Sequence, residues 1–213
     1  MIYLKKNYIP LFSIVVTTYN RLTLLKRAIG SIIAQSETDW ECIVVDDGSN
    51  DNTFEYLIDL CKTDSRFRYV YNKNLGTASA KNIGIKNASG YYLTFLDSDD
   101  EYKINHLESR KEILNANPDI DFLHGGFQII GDIYVPDLHS DNMISLYDCI
   151  IGGTFFINRK KLLKVGGFDL VDYGDDNYFY HKLKKYKFAM GKVEENTYIY
   201  HREHQDTITK NHE

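Results

Sequence analysis

The stretch Tyr91–Asp100, YYLTFLDSDD, constrains the fold of this chain more than any other. Tyr91 to Leu96 read as an apolar β-strand, and the strand ends abruptly in Asp97, Ser98, Asp99 and Asp100. In open α/β sheets ligands lie outside the carboxyl ends of the strands, so a strand that delivers acids there aims them at a site. Acids packed this densely repel one another unless a cation or a hydrogen-bonded ligand lies between them. A hard metal bridging to a phosphorylated ligand satisfies them, because Mg²⁺ or Mn²⁺ takes one or two protein carboxylates and fills its shell with phosphate oxygens and water. The competing reading of this stretch taken alone is a solvated turn, which needs only Asp and Ser.

The pattern repeats upstream. Phe12–Val16 is a buried-strand run followed by the polar mouth Thr17, Thr18, Tyr19 and Asn20. Leu22, Leu25, Ile29, Ile32 and Ile33 then recur at helical spacing, with Asn20 placed as N-cap. No glycine stands in this turn, so neither the dinucleotide fingerprint nor a P-loop is present. A second strand, Trp40–Val45, also runs into acids, Asp46, Asp47 and Asp51 with Gly48 and Ser49 between them. A calcium loop fails there, because Asn52 and Ile58 stand where its glycine and glutamate belong. Asp51 or Asn52 is placed to cap a helix carrying Phe54, Leu57, Ile58 and Cys61. A strand at Phe67–Tyr71, a turn at Asn72–Gly76 and a helical segment at Ala78–Ala88 lead into the acidic strand. The order β-α-β-α-β-α-β predicts a parallel, helix-covered sheet with right-handed crossovers. The second half is less regular. A helix through Ile104, Leu107 and Leu114 stops at Asn117-Pro118. Strands are expected at Phe122–Ile130, Gly152–Asn158 and Thr197–Tyr200, a helix through Phe179 and Leu183, and a loop-rich stretch over Ile133–Tyr147.

The 213 residues suffice for one α/β domain, and no linker divides them. A net charge of −5 disfavours nucleic acid as a partner. Cys42, Cys61 and Cys149 are odd in number and form no C-x-x-C pair, which argues against disulfides and zinc and for a reducing compartment. No apolar run approaches the length of a membrane span. Two basic clusters, Arg159, Lys160, Lys161, Lys164 and Lys182, Lys184, Lys185, Lys187, read as solvated faces or as attraction to an anionic membrane.

Five segments in order resemble family 2 glycosyltransferases, the inverting kind with the GT-A fold: SIVVTTYNR (13–21), VVDDGSNDNT (44–53), NLGTASAKNIGIKNASGYYLTFLDSDD (74–100), GGTFFINRKKLLKVGGFD (152–169) and GDDNYFYHKL (174–183). The resemblance implies a Rossmann-like, mainly parallel sheet with helices on both faces and a smaller loop-rich acceptor side. One domain is implied over 1–213, its nucleotide-binding half at about 12–100 and its acceptor-binding half at about 101–213. Such enzymes move a sugar from a nucleotide-diphosphate donor to an acceptor hydroxyl with inversion, assisted by Mn²⁺ or Mg²⁺.

Carried over residue by residue, Thr17, Tyr19 and Asn20 line the nucleotide pocket and Asp47 reads the base, which makes a UDP-sugar the expected donor. Lys81, where the family more often has arginine, and Ser98 belong to the same set. A lysine supplies charge without a planar fork. Asp97 and Asp99 match the D-x-D element and ligate the metal together with His204, for which His201 is the alternative. Asp176 is the expected general base. Asp100, Asp175, Gly153 and Thr154 fall to the sugar and acceptor. Asp175 stands where the family more often has glutamate, and both acids are also placed to favour the positive end of the following helix. The family implies a saccharide or lipid-linked acceptor in bacterial polysaccharide or glycoconjugate synthesis. The expected location is the cytoplasm or the inner face of the cell membrane. The oligomeric state is left open.

Three other functions share parts of this pattern. A haloacid dehalogenase-like phosphatase has a D-x-D after a strand, but wants Thr or Val where Glu101 stands. A nucleotidyltransferase needs a glycine-rich basic loop near the N-terminus, which is missing. An inactive sugar-binding or scaffold domain is the non-enzymatic alternative.

Overall fold

A computed structural model describes residues 8–137, 140, 142–171 and 173–203. Four strands and three helices alternate in its first half: β1 Phe12–Thr18, α1 Leu22–Ile33, β2 Trp40–Asp46, α2 Thr53–Thr63, β3 Phe67–Tyr71, α3 Thr77–Asn87 and β4 Tyr92–Asp97. The four strands are parallel, in the spatial order β3-β2-β1-β4. The chain therefore winds one way from β1 to β3 and returns to the other side of β1 with β4. Such a reversal opens a crevice above the strand ends, where ligands bind in open α/β sheets.

Alternation along each strand explains the two cores. Ile14, Val16, Cys42, Val44 and Leu96 face one side, where Leu25 and Ile29 of α1 and Leu57 of α2 cover them. Val15, Ile43, Val45, Leu93 and Phe95 face the other side and pack against α3 and the later helices. Successive strand side chains point to opposite faces, so both sides of the sheet are apolar and both carry helices. The approach of α3 to β1 is close enough to require glycine: a Cβ at Gly84 would stand 2.2 Å from Val15 Cγ1.

The second half extends the same sheet. It comprises β5 Glu101–Tyr102, α4 His106–Ala116, β6 Phe122–Gly131, β7 Tyr134–Pro136, β8 Met143–Ser145, β9 Phe156–Asn158, α5 Arg159–Val165, α6 Asp175–Lys185 and β10 Met190–Arg202. The full order is β3-β2-β1-β4-β9-β6-β10-β5. β9 is antiparallel to β4 and β6, and β5 is antiparallel to β10, whereas β6 and β10 are parallel.

Several local expectations change. Gly152–Asn158 is not one strand: Gly152–Thr154 is a 3₁₀ turn and only Phe156–Asn158 pairs. Within the loop-rich stretch Ile133–Tyr147, β7 and β8 pair as a short hairpin. The last strand runs from Met190 to Arg202, well beyond Thr197–Tyr200, because it pairs along almost the whole of β6.

Asn20 does not cap α1. It adopts a left-handed backbone (φ 51) and clips the β1–α1 loop to the next one, its N–H donating to Ser49 Oγ (2.8 Å) and its Oδ1 accepting from Asn50 N (2.7 Å). Asp51 serves both helix ends instead, accepting from Leu22 N through Oδ2 and from Thr53 N through Oδ1, each at 3.1 Å. Burial opposes the charge of Asp51, but the bonds from Thr53 and Leu22 prevail and hold the carboxyl below its ordinary range. Acids of the second loop thus serve structure as well as a site.

Candidate active site

The ends of β1, β2 and β4 lie level: Thr17 pairs with Val45 on one side and with Asp97 on the other, and Thr18 with Asp46. Above them opens a cleft of about 790 Å³, walled by α3, the β7–β8 hairpin, the start of α6 and the end of β10. Of the residues expected to act, Thr17, Tyr19, Asp47, Lys81, Asp97, Ser98, Asp99, Asp175 and Asp176 line it. They come from positions up to 159 residues apart (176 − 17).

Asp47 lies at one end, buried, with Oδ1 accepting from Asn72 Nδ2 (2.6 Å) and Leu75 N (3.0 Å) and Oδ2 from Gly76 N (2.8 Å). A carboxylate has about four acceptor positions, so Oδ2 keeps one for a further donor. Tyr19 stands at the mouth, 41% exposed. Asp46, its neighbour in sequence, is buried and structural, accepting from Ser49 N and Tyr69 Oη.

Asp97 and Asp99 flank Ser98 at the end of β4. No described residue donates a hydrogen bond to the Asp97 carboxylate, and burial pushes that carboxyl up to about 6 despite the nearby ammonium of Lys81. Asp99 pairs with Arg21 Nη1 through Oδ2 at 3.0 Å, leaving Oδ1 without a donor among the described residues. Two hard oxygen ligands with open positions fit a Mg²⁺ or Mn²⁺ ion that takes its remaining ligands from phosphate and water. Among the described residues no three His, Cys, Asp or Glu side chains come together to hold a metal by themselves, so the fit depends on oxygens from a ligand. His204 lies outside the described residues. His201 lines the cleft, its Nε2 2.8 Å from Glu101 Oε1 and its buried Nδ1 without a hydrogen-bond partner there.

Asp175 and Asp176 open α6 and face Lys81, whose ammonium is 3.0 Å from Asp175 Oδ2 and 2.9 Å from Asp176 Oδ1. Gly152 N donates to Asp176 Oδ2 at 2.9 Å. The 3₁₀ turn at Gly152 is tight against these side chains, since a Cβ there would stand 2.1 Å from Asp176 Oδ1. Burial raises the Asp176 carboxyl above its ordinary range; Lys81 opposes this and Asp175 adds to it.

Four expected residues do not line the cleft. Asp100 is buried, with Oδ2 accepting from Tyr198 Oη (2.5 Å) and Oδ1 from His201 N (2.8 Å), which ties the acidic turn to β10. Thr154 is buried and bonds Gly125 N and Ile151 O, and Gly153 packs against the Tyr198 ring. Asn20 is the loop clip described above. Sequence reasoning passed over Arg21 and Gly152. Both lie inside the quoted segments, but the partners that reveal their roles, Asp99 and Asp176, are 78 and 24 residues away.

The model of the glycosyl transferase family 2 matches residues 13–209. An Escherichia coli protein, UDP-Glc:α-D-GlcNAc-diphosphoundecaprenol β-1,3-glucosyltransferase WfgD, is 32% identical over 182 residues, covering 82% of this chain and 70% of the relative. The GalNAc(5)-diNAcBac-PP-undecaprenol β-1,3-glucosyltransferase of Campylobacter jejuni is 33% identical, covering 94% and 67%. Against the first curated relatives, uncharacterized glycosyltransferases of Rickettsia, the chain spans about a fifth of their length. Among solved structures, Staphylococcus aureus TarS 1-349 with UDP-GlcNAc superimposes with a TM-score of 0.76 at 18% identity, over 92% of this chain and 60% of that one. Mannosyltransferase PcManGT of Pyrobaculum calidifontis, with GDP-Man and Mn²⁺, gives 0.72 at 19% identity, over 91% and 57%. These likenesses extend the mainly parallel, helix-flanked fold to nearly all of the chain. With the family model covering almost the whole sequence, this chain belongs to glycosyl transferase family 2.

Proposed function

We propose that the chain transfers a sugar from a UDP-sugar to an acceptor hydroxyl with inversion at the anomeric carbon. One observation carries this reading: Asp47, Asp97, Asp99 and Asp176 share one cleft above the reversal of strand order. A single cleft can then hold a nucleotide at one end and an acceptor at the other.

Asp47 accepts the imide N–H of uracil through its remaining acceptor position, and Thr17 and Tyr19 border the base. Asp97 and Asp99 turn their carboxylates toward the diphosphate, and Lys81 adds positive charge to that wall of the cleft. Asp97 and Asp99 would hold a divalent cation, which would supply Lewis-acid stabilisation of the charge that grows on the departing diphosphate. The acceptor oxygen attacks from the opposite face, the bond from the anomeric carbon to the diphosphate oxygen breaks, and the hydroxyl proton passes to Asp176. A positioned base of this kind contributes about 10²–10⁴-fold. Asp175, at the same helix start, borders the acceptor.

The name of the Escherichia coli relative supports a UDP-sugar donor, and both its name and that of the Campylobacter relative support an acceptor on a lipid diphosphate, and hence a place in bacterial glycan synthesis. We place the protein at the cytoplasmic face of the membrane. No described helix is long and apolar enough to cross it. Lys160, Lys164, Lys184, Lys185 and Lys187 are exposed, and a basic residue near an anionic surface contributes about 1 kcal/mol.

The test is incubation with a panel of nucleotide sugars and Mn²⁺, with detection of nucleotide diphosphate. UDP release is expected, and Asp176→Asn should keep donor binding while losing turnover. Free phosphate would point to a phosphatase, and binding without turnover to a scaffold.

A further inference from the structure

Lys81 is a cationic side chain of the cleft that lies buried in the protein. It is 3% exposed, on α3, with its ammonium 4.9 Å from the centroid of the Phe168 ring. A buried ammonium persists only where opposite charges and hydrogen bonds compensate its lost hydration. Here the compensation comes from two carboxylates at once, Asp175 at 3.0 Å and Asp176 at 2.9 Å. An ammonium carries three donors, enough to bond both acids at once.

Asp176 is held at both oxygens, by Lys81 at Oδ1 and by Gly152 N at Oδ2. The charges that act on it are Lys81 from α3, Asp175 from its own helix and Asp97 from β4; the Gly152 turn brings only backbone. Asp99, Asp148, His181 and His201 line the same cleft and make no ion pair with it.

We propose that Lys81 is a positioning residue for Asp176: its ammonium aims the carboxylate and keeps it ionised, the form that can accept a proton. This inference rests on the reading of Asp176 as the base. The physical consequence has a definite sign. Burial favours the neutral acid, Lys81 the carboxylate, and Asp175 the neutral acid again. Neutralising Lys81 leaves burial and Asp175 unopposed, so Asp176 ionises at higher pH. Neutralising Asp175 leaves Lys81 to Asp176 alone, so Asp176 ionises at lower pH.

The experiment is a ¹³C NMR titration of the side-chain carboxyls of the full chain without donor or metal. The Asp176 resonance is assigned by its loss in Asp176→Asn. Lys81→Met and Lys81→Gln should each move its midpoint up by about one pH unit or more, the scale of a removed neighbouring charge. Lys81→Arg should leave it near the parent value, and Asp175→Asn should move it down. A midpoint that stays or falls in a folded Lys81→Met or Lys81→Gln variant overturns the proposal. Should neither fold, Asp175→Asn decides, and a midpoint that does not fall overturns it. The companion measurement is UDP release from UDP-glucose with Mn²⁺ for Asp176→Asn. Release at the parent rate removes the base reading, whereas loss of release with a midpoint indifferent to Lys81 removes only this inference.

Discussion

Replacing Gly152 by alanine tests how finely the cleft holds its base. The backbone at Gly152 is one that any residue adopts, so the added methyl acts through space alone. Its carbon would stand 2.1 Å from Asp176 Oδ1, 2.4 Å from Cγ and 2.6 Å from Oδ2. Ordinary contact begins at 3.4 Å, so the nearer oxygen must retreat by about 1.3 Å (3.4 − 2.1). That displacement breaks the 2.9 Å bond from Gly152 N and draws Oδ1 off Lys81. A misplacement of about 1 Å in a reacting group costs roughly 10²-fold in rate. Gly152 does not itself line the cleft, and its contacts are with Asp176 rather than with Thr17, Tyr19 or Asp47, so UDP affinity should stay within about twofold, a change of under 0.5 kcal/mol. The assay is UDP release from UDP-glucose with Mn²⁺, beside calorimetric binding of UDP. Turnover within twofold of the parent would show that the position of Asp176 in this cleft does not matter to the reaction, and the base assignment would lose its geometric support.

Other perturbations separate structure from chemistry. Asp51→Ala removes the side-chain caps of α1 and α2 together; at about 1 kcal/mol per cap, urea unfolding should show a loss of about 2 kcal/mol. Burial pushes the Asp97 carboxyl up to about 6, so donor binding in Mn²⁺ should be full at pH 8 and fall as pH drops through about 6, because the protonated acid is a poor ligand. Binding of UDP without metal should change much less over the same range. Asp99→Ala should abolish the gain in UDP affinity that Mn²⁺ brings, and it also releases Arg21 from its 3.0 Å ion pair. An unchanged Mn²⁺ effect in that variant would remove Asp99 from the metal site.

The sequence is most informative where local pattern and fold coincide. The first four strands are short apolar runs between helical periodicities, and a β-α alternation leaves few topologies open, so the parallel sheet and the acids at its strand ends could be read directly. Asp97, Asp99 and Asp47 are visible because Asp97 ends β4, Asp99 stands two residues beyond it and Asp47 directly follows β2. What could not be read is what each acid faces. Asp51 and Asp100 look equal to their neighbours in sequence, yet one caps two helices and the other is bound by Tyr198 and His201 of a strand about a hundred residues later. The pairing of Lys81 with α6 spans 95 residues and leaves no periodic signal. The Gly152–Asn158 stretch misled because an apolar run of this length fits a buried 3₁₀ turn and a three-residue strand as well as it fits one long strand. In the second half, β9 reverses direction between β4 and β6, and strand direction is set by packing that no local motif records.

A crystal structure of the protein with UDP and Mn²⁺ bears most directly on the central claim, because manganese reports its own position by anomalous scattering. The account predicts one manganese peak between the carboxylates of Asp97 and Asp99, uracil against Asp47, the β-phosphate at the manganese, and Asp176 left open to the acceptor side of the cleft. Manganese and nucleotide bound away from the ends of β1, β2 and β4 would contradict it.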